Sequence, residues 1–368
     1  MKQLLVISGK GGTGKTTLVA SFARLARGVV LADCDVDAAD LHLLLQPRVV
    51  EQGPFYGGRK PQVDVERCTR CGLCTELCRF GAIEAGEVDI IECEGCGLCA
   101  LGCPEEAIVM KEHLSGHWYV SETAVGPMVH AQLEMGEENS GKLVAEVRKR
   151  AKEIAEAKGT DLVLIDGPPG VGCPVISSLS GVDMALVVTE PTVAALHDLG
   201  RVLDLCEKFQ VRAVVCINRY DLNMEKTAEV EDHCRRRGID VIGRIPFDRA
   251  VIDALTYGKT PLEHPSKAAG AISKIWDTLY QEVFASERGQ SREQKLLEQG
   301  WTRRFAASEP RLSEAIRLYE EAGFEVHLEP LSHVGPRGEE CQSCRLCFEG
   351  SEDEPLVIYT RPKGERSR

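Results

Sequence analysis

The chain has 368 residues, a formal net charge of -13, and 43% hydrophobic and 27% charged side chains. That length allows two or three domains, and the acidic balance argues against a nucleic-acid partner, which would need a basic face. No apolar run approaches the roughly 18 residues of a membrane span, and the N-terminal run is too short for a signal peptide. The composition therefore predicts a cytoplasmic protein without membrane insertion.

The first predicted element is an apolar strand over residues 3–8, followed by a glycine-rich loop and a helix over 15–27. Glycines allow successive backbone N–H groups to converge on phosphate oxygens, and the helix N-terminus adds favourable partial charge. Lys15 would neutralise the β- and γ-phosphates, and the Thr16 hydroxyl would ligate Mg²⁺. The predicted nucleotide-binding loop consists of Gly9, Lys10, Gly11, Gly12, Thr13, Gly14, Lys15, Thr16 and Thr17.

The rest of the first half predicts a second strand over 29–33, a linker rich in Pro, Gly and Gln over 46–62, and a cysteine-dense block over 63–111. Apolar runs then resume, with helical patterns over 195–209 and 225–237 between them. The predicted strands are residues 162–165, 185–188, 213–217 and 241–242. Continuous apolar strands that alternate with helices indicate a doubly wound, mostly parallel α/β sheet, which the cysteine block interrupts.

The C-terminal third predicts a helix over 267–285 that closes this sheet domain, then a polar segment and a small module. The polar segment, 286–300, reads as a linker or as the extended end of the helix. The module has the order strand, helix, strand, cysteine loop, strand. The predicted domains are an ATPase domain in two parts (1–60 and 113–285), an inserted cysteine domain (61–112), the linker (286–300) and a C-terminal α/β module (301–368).

Eleven of the 16 cysteines form three Cys-x-x-Cys groups, which in a reducing compartment indicates metal. The first two runs share the spacing of bacterial ferredoxins, so they predict two 4Fe–4S clusters, with zinc as the alternative. Because the fourth cysteine of each run ligates the other cluster, the predicted sets are Cys68, Cys71, Cys74 and Cys103 for cluster 1, and Cys93, Cys96, Cys99 and Cys78 for cluster 2. Residues 61–112 carry 11 acidic and 4 basic side chains, which indicates either a basic docking partner or a merely solvated face.

The remaining cysteines are more ambiguous. A third group could hold an iron–sulfur cluster, or zinc with His333 as fourth ligand, or could be redox-inert; its members are Cys341, Cys344 and Cys347. Cys173 is interpreted as an ordinary buried thiol, with a cluster that bridges two subunits as the alternative. Four others fall within predicted strands or helices and should lie in the core: Cys34, Cys206, Cys216 and Cys234.

A second lysine early in the phosphate loop, Lys10, makes this loop resemble the deviant Walker A motif of the MinD/Mrp superfamily. The resemblance covers roughly residues 1–45 and 117–285. It implies an ATPase homodimer with nucleotide at the interface, in which Lys10 reaches the partner's phosphates. By the same resemblance Asp35 orients the attacking water, Asp33 lies near the magnesium shell, and Asp166 is the Walker B aspartate.

The resemblance also bears on the nucleotide base. Asn218 and Arg219 follow a predicted strand, and in this family an Asn at such a place contacts adenine. ATP is therefore expected, with GTP as the alternative because residues 218–221 superficially echo a guanine-reading motif.

Taken together, the chain is similar to a MinD/Mrp-superfamily ATPase with an inserted ferredoxin domain. The first hypothesis is that ATP binding and hydrolysis gate electron transfer through the two clusters to a redox partner. The alternative is a carrier or scaffold that hands an iron–sulfur cluster or metal centre to an apo-protein. A third hypothesis is a non-redox spatial organiser of the MinD type. It is disfavoured because the amphipathic membrane-targeting helix of MinD has no counterpart in this sequence.

Overall fold

The computed structural model describes residues 1–134, 137, 140–331 and 356–362, and within the helix over Lys267–Glu298 it leaves the side chains at 285–295 and 298 undescribed. The chain divides into two compact units, Met1–Asp277 and Thr278–Arg368. Each unit is described by itself below.

The first unit is built on one large sheet. The strands of the first unit are β1 (Lys2–Ser8), β2 (Val30–Asp33), β3 (Arg48–Val63), β4 (Ile83–Glu84), β5 (Glu87–Val88), β6 (Ile108–Glu122), β7 (Pro127–Leu133), β8 (Leu162–Pro169), β9 (Met184–Thr189), β10 (Arg212–Asn218) and β11 (Val241–Ile245). Of these, β4 and β5 form a separate two-stranded ribbon. The sheet order is β11-β10-β9-β1-β8-β2-β7-β6-β3. All neighbours from β11 to β7 pair in parallel, so the predicted mostly parallel α/β sheet is confirmed.

Helices cover this parallel sheet. The helices of the first unit are α1 (Lys15–Leu25), α2 (Leu41–Leu45), α3 (Leu73–Leu77), α4 (Leu98–Leu101), α5 (Ser140–Lys158), α6 (Cys173–Leu179), α7 (Val193–Lys208), α8 (Met224–Arg236) and α9 (Arg249–Thr256), with 3₁₀ turns at Tyr220–Leu222 and Pro261–Glu263. Of these, α3 and α4 belong to the cysteine-dense segment. The central strands are continuous apolar runs because both of their faces are buried, as in Leu4 to Ile7. Because these strands pair in parallel, the carboxyl ends of five of them lie at one edge of the sheet, where a ligand site is expected: β1, β2, β8, β9 and β10.

The segment over 46–62 is not a linker. Most of it forms β3, which pairs antiparallel with β6 along its whole length, and β6 pairs antiparallel with β7. Its composition is misleading because β3 is the edge strand, where a proline such as Pro54 costs no hydrogen bond on the open side. Gly53 is needed there because a Cβ would lie 2.2 Å from the ring of Trp118.

The cysteine-dense segment lies between the paired ends of β3 and β6, where Val63 is opposite Ile108. It contains only α3, α4 and the β4–β5 ribbon. Of residues 64–107, just Ala82, Ile83 and Ala107 are buried. The segment is thus a small module carried on a long antiparallel hairpin that continues the sheet of the first unit.

A tenth helix, α10 (Lys267–Glu298), contains the boundary between the two units. Residues 286–298 are therefore helical, in line with the second of the two predictions for this segment. The second unit also holds β12 (Thr302–Ala307), α11 (Arg311–Glu321), β13 (Phe324–Pro330) and β14 (Leu356–Pro362). Its sheet has the order β12-β14-β13 with antiparallel pairing, and buried Ile358 packs with Leu312 of α11. Among the described residues no helix is long and apolar enough to cross a membrane.

Candidate functional site

The glycine-rich loop connects β1 to α1 at the carboxyl edge of the sheet. Lys15 is the first residue of α1 and its side chain is buried, with 5% of the residue exposed. Gly14 caps the helix with a φ of 94°, in the left-handed region that favours glycine, and a Cβ there would lie 2.6 Å from the Asn218 amide nitrogen. That amide donates to the Thr13 carbonyl at 2.8 Å. The loop is therefore held in place by residues from the end of β10.

Two carboxylates face each other across the paired ends of β2 and β8, where Asp33 is opposite Asp166. Asp33 accepts backbone N–H bonds from Asp35 at 3.2 Å and from Leu41 at 3.3 Å, so both of its oxygens shape the following loop. Burial, and then the Asp166 charge, raise the pKa of Asp33 well above its ordinary value. Asp33 is thus a carboxylate that organises the loop, with no oxygen left free of backbone bonds.

Asp166 differs from Asp33 because neither of its oxygens has a hydrogen-bond partner of good geometry among the described residues, although the residue is 99% buried. Burial raises its pKa, and the Lys15 ammonium and the Thr16 hydroxyl lower it only in part. A buried carboxylate without partners is costly, and a divalent cation next to Thr16 would satisfy it. The donor set of Asp166 and Thr16 therefore fits Mg²⁺.

Asp35 follows β2 in the loop that Asp33 organises, and it is half-buried. Burial raises the pKa of this carboxyl to about 6, against the lowering effect of Lys15, with Asp37 and Asp40 adding to the rise. Its electrostatic interaction with Lys15 shows that it lies near the phosphate loop.

A cavity with about 510 Å³ of empty space, including its open side, lies beside the phosphate loop. Asn218 and Arg219 line it, together with Gly14 and Thr17, so the residues predicted to contact the base lie next to the loop predicted to bind phosphate. Another part of the lining was missed in the sequence: it is formed by the end of β11 and the segment after it, namely Ile245, Pro246, Phe247, Asp248 and Ile252. The available clue was that β11 ends at the same sheet edge as the other parallel strands.

A second missed residue is Glu190, which directly follows β9. Its carboxylate is shared by two cations: one oxygen is 3.2 Å from the Lys10 ammonium, and the other accepts from the Arg219 guanidinium at 2.5 Å. Glu190 is 8% exposed. Lys10 therefore has a carboxylate partner within its own chain. A lone Glu after an apolar strand gave no clue to this contact.

Two further cavities lie in the cysteine module, each with about 350 Å³ of empty space including its open side. One is lined by four thiols from both runs, Cys78, Cys93, Cys96 and Cys99. The other is lined by Cys68, Cys71, Cys74 and Cys103. Each grouping takes three cysteines from one run and the fourth from the other.

These thiols are free, and among the described residues no three His, Cys, Asp or Glu side chains are close enough to share a single metal ion. A cubane takes one thiolate at each of four irons, so its ligands are spread around a cage and do not converge on one ion. Four thiols around an open cavity are a donor set that fits this geometry, and they fit a single zinc ion less well.

The other cysteines fall into three classes. Cys34, Cys206, Cys216 and Cys234 are buried, so their predicted core positions are confirmed. The prediction that Cys173 is buried is wrong: it is exposed at the start of α6, because the turn over 170–172, with a φ of 93° at Gly170, takes the chain out of the sheet. Cys341, Cys344, Cys347 and His333 lie outside the described residues.

Comparison with known proteins identifies the family. The model of the CobQ/CobB/MinD/ParA nucleotide-binding domain matches residues 4–262. The uncharacterised protein MJ0578 of Methanocaldococcus jannaschii is 36% identical over 75% of this chain and 96% of its own length. The septum site-determining protein MinD of Thermotoga maritima is 26% identical over 69% of this chain and 79% of its own.

Among solved structures, MinD of Pyrococcus horikoshii complexed with Mg-ADP is similar, with 21% identity, coverage of 76% of this chain and 95% of that one, and a TM-score of 0.47. The family match, residues 4–262, spans the phosphate loop, Asp166 and Asn218, and it extends across the cysteine-dense segment. The chain therefore belongs to the CobQ/CobB/MinD/ParA family of nucleotide-binding P-loop ATPases.

Proposed function

We propose that this chain is a homodimeric ATPase whose nucleotide state controls one-electron transfer through two 4Fe–4S clusters to a redox partner. The observation that carries the proposal is the grouping of eight thiols into two cavities, on a hairpin that is continuous with the nucleotide-binding sheet. The nucleotide half rests on membership of the family. The iron–sulfur half rests on the cysteine spacing and the shape of the cavities.

Each residue of the nucleotide site has a separate task in hydrolysis. The backbone N–H groups of residues 9–14 and the Lys15 ammonium bind the phosphates, and Thr16 and Asp166 hold Mg²⁺. Asp35 orients the water that attacks the γ-phosphorus, and Asp33 fixes the loop that carries Asp35. Lys10 stabilises the negative charge that develops on the phosphates of the nucleotide bound to the partner subunit.

The base cavity favours ATP over GTP. In a guanine-reading motif the final aspartate must be free to accept hydrogen bonds from the base. Here Asp221 accepts the Phe247 N–H at 2.7 Å, so it holds the cavity wall. Asn218 is likewise engaged with the Thr13 carbonyl and with the Arg219 N–H. An apolar wall of Ile245, Phe247 and Ile252 suits a flat adenine ring.

The cysteine module would hold its clusters through the two crossed sets of thiols described above. Bound cubanes would supply one-electron storage and transfer at low potential. Gly72 and Gly97, which cap the short helices α3 and α4 with φ near 80°, turn the chain tightly around each cavity. Because each cavity needs both runs, the two sites form together.

A path for coupling runs through the sheet. β7 pairs with β2, which leads into the Asp33–Asp35 loop, and also with β6, which carries the cysteine module. A movement of the loop after β2 on nucleotide exchange can therefore be transmitted across two strand pairings to the module.

The first experiment measures metal content. We expect protein purified without oxygen to contain about eight irons and eight sulfides per chain from these two sites, and no stoichiometric zinc at them. A truncation that ends at residue 299 separates any contribution of Cys341, Cys344 and Cys347. Cys103→Ala should lower the amount of iron and sulfide bound by the first run. The matched control is Cys206→Ala, which removes a buried thiol that lines neither cavity. Zinc or metal-free thiols at residues 68–103 would refute the redox function.

The second experiment measures gating. Reduction by dithionite and reoxidation by an added one-electron acceptor are followed by absorbance with ATP, ADP or no nucleotide. We expect the rates to differ between nucleotide states, and the difference to disappear in Lys15→Ala. Equal rates in all three states would leave an ATPase whose clusters are not gated.

The alternative function, a carrier that donates a cluster or metal centre, rests on the third cysteine group at 341–347. Transfer of a cluster to an apo-ferredoxin, lost in Cys344→Ser and retained in Cys103→Ala, would favour the carrier over the electron-transfer protein.

A further inference from the structure

Glu190 lies where the phosphate loop and the base cavity meet. It directly follows β9, with Lys10 of the loop 3.2 Å from one oxygen and Arg219 of the cavity 2.5 Å from the other. The Glu190 side chain is 11% exposed, whereas those of Lys10 and Arg219 are 34% and 40% exposed. One buried carboxylate thus holds two partly exposed cations.

We propose that Glu190 is a positioning residue that holds Lys10 away from phosphate until nucleotide is bound, and that Arg219 makes the release of Lys10 possible. This inference rests on the proposed function, in which Lys10 acts on the nucleotide held between two subunits. Its new content is the control of Lys10 by Glu190 and Arg219 within one chain.

The argument follows from burial. A buried carboxylate that loses its only cation is left unpaired, which is strongly unfavourable. Glu190 avoids this state because Arg219 stays bound when Lys10 leaves. Phosphate oxygens and Glu190 therefore compete for the Lys10 ammonium. Lys10 can move to the phosphate at low cost only while Arg219 still neutralises the Glu190 carboxylate.

Arg219 also connects the competition to the nucleotide. It lines the base cavity, and its backbone, with a φ of 53°, is fixed by the Asn218 side chain, which accepts the Arg219 N–H at 3.0 Å. A base in that cavity packs on the residue that compensates Glu190. Release of Lys10 is thus favoured when the cavity is filled.

The test is a suppression experiment on the full chain, purified anaerobically and assayed at saturating Mg-ATP. We expect Arg219→Ala to lower the Lys10-dependent kcat about tenfold, since Glu190 then keeps Lys10 as its sole partner. Glu190→Gln removes the restraint, so it should lower the protein concentration needed for ATP-dependent dimerisation in analytical ultracentrifugation. The double variant Arg219→Ala/Glu190→Gln should match Glu190→Gln within about twofold.

Controls separate this role from a structural one. Glu231→Gln breaks a comparable ion pair, in which Glu231 lies 2.5 Å from Arg244, and should leave kcat and dimerisation unchanged. Thermal unfolding is recorded for every variant. If Glu190→Gln does not fold, Glu190→Asp, which keeps the charge but shortens its reach, should still restore part of the rate lost in Arg219→Ala.

The outcomes distinguish the two levels of the argument. If the double variant is as slow as Arg219→Ala, Arg219 acts on the base alone and the role of Glu190 is refuted. If Lys10→Ala hydrolyses ATP and dimerises like the wild type, the proposed function of Lys10 itself fails. A rate loss in Arg219→Ala that Glu190→Gln reverses supports the inference, because simple loss of a base contact cannot be restored by removing a carboxylate.

Discussion

Replacing Asp166 by Asn should make the nucleotide-free protein more stable while abolishing its response to Mg-nucleotide. Asp166 is 1% exposed, lies opposite Asp33 in the strand register, and has no hydrogen-bond partner of good geometry among the described residues. The neutral amide removes the repulsion between the two buried carboxylates, and its N–H group can donate toward the one that remains, Asp33. A buried carboxylate whose desolvation is offset only in part, here by Lys15 and Thr16, typically costs about 1–3 kcal/mol or more, so a gain of about 2 kcal/mol is expected.

The assay is calorimetric unfolding with and without Mg-ADP. For a domain of this size 1 kcal/mol shifts Tm by about 2–4 °C, so the variant should melt roughly 4–8 °C higher without ligand. Mg-ADP at a hundredfold excess over its Kd should stabilise the wild type by about 3 kcal/mol, but not the variant, which lacks the Mg²⁺ ligand. The difference in Tm between the variant and the wild type should therefore shrink or change sign when Mg-ADP is added.

Asp183→Asn is the matched control for this prediction. Its carboxylate accepts from the Gln3 N–H at 2.8 Å and pairs with Lys2 at 3.2 Å, so its removal should cost stability slightly and leave the ligand response intact. An Asp166→Asn protein that is less stable than the wild type without ligand would refute the reasoning. So would one that still gains stability from Mg-ADP, since Asp166 would then not hold the cation.

Two further predictions concern the loop and the acid stability of the fold. Gly14→Ala should weaken ATP binding at least tenfold in equilibrium titration, because a Cβ at φ 94° meets the Asn218 amide at 2.6 Å, whereas Gly270→Ala, in α10 with open space around it, should change affinity little. Burial lowers the pKa of His130 to about 4 from an ordinary value near 6.5, so the folded state binds fewer protons than the unfolded one between these values. Stability should thus be fully present above pH 6.5 and fall by about 3 kcal/mol as the pH drops to 4, and His130→Gln should flatten that slope in urea titrations; an unchanged slope would show that other groups are responsible.

Much of the parallel sheet could be predicted because its strands are buried on both faces. The apolar runs at 162–165 and 213–217 lie within β8 and β10, and glycine-loop chemistry located the site at the end of β1. The edge of the sheet could not be predicted in the same way. In β3 the alternation of buried and exposed residues is irregular and the composition is rich in Pro and Gly, so the local sequence resembles a linker; only pairing with β6 makes it a strand.

The site residues divide along a similar line. Lys15 was predictable because it follows a strand and a glycine loop in the spacing that phosphate binding requires, whereas Asp166 and Asn218 were predicted from the resemblance to the MinD/Mrp superfamily. Glu190 was not, since its role depends on two cations 180 and 29 positions away in sequence. The part of the cavity lining formed by the end of β11 and the segment after it was missed for a different reason: it is mostly apolar, and apolar residues carry no local mark of a ligand.

The crossed grouping of the thiols has a consequence for the module itself. Residues 64–107 bury only Ala82, Ile83 and Ala107, far less apolar surface than a stretch of that length needs to fold alone. The free energy that stabilises this segment must come from the hairpin at its base and from any ligand that its eight thiols bind. In such small modules the free energy of ligand binding contributes directly to the free energy of folding. Since Cys78 and Cys103 each complete the cavity of the other run, neither half can be ordered without its counterpart. We therefore expect the module to fold as one cooperative unit, attached to the ATPase through β3 and β6.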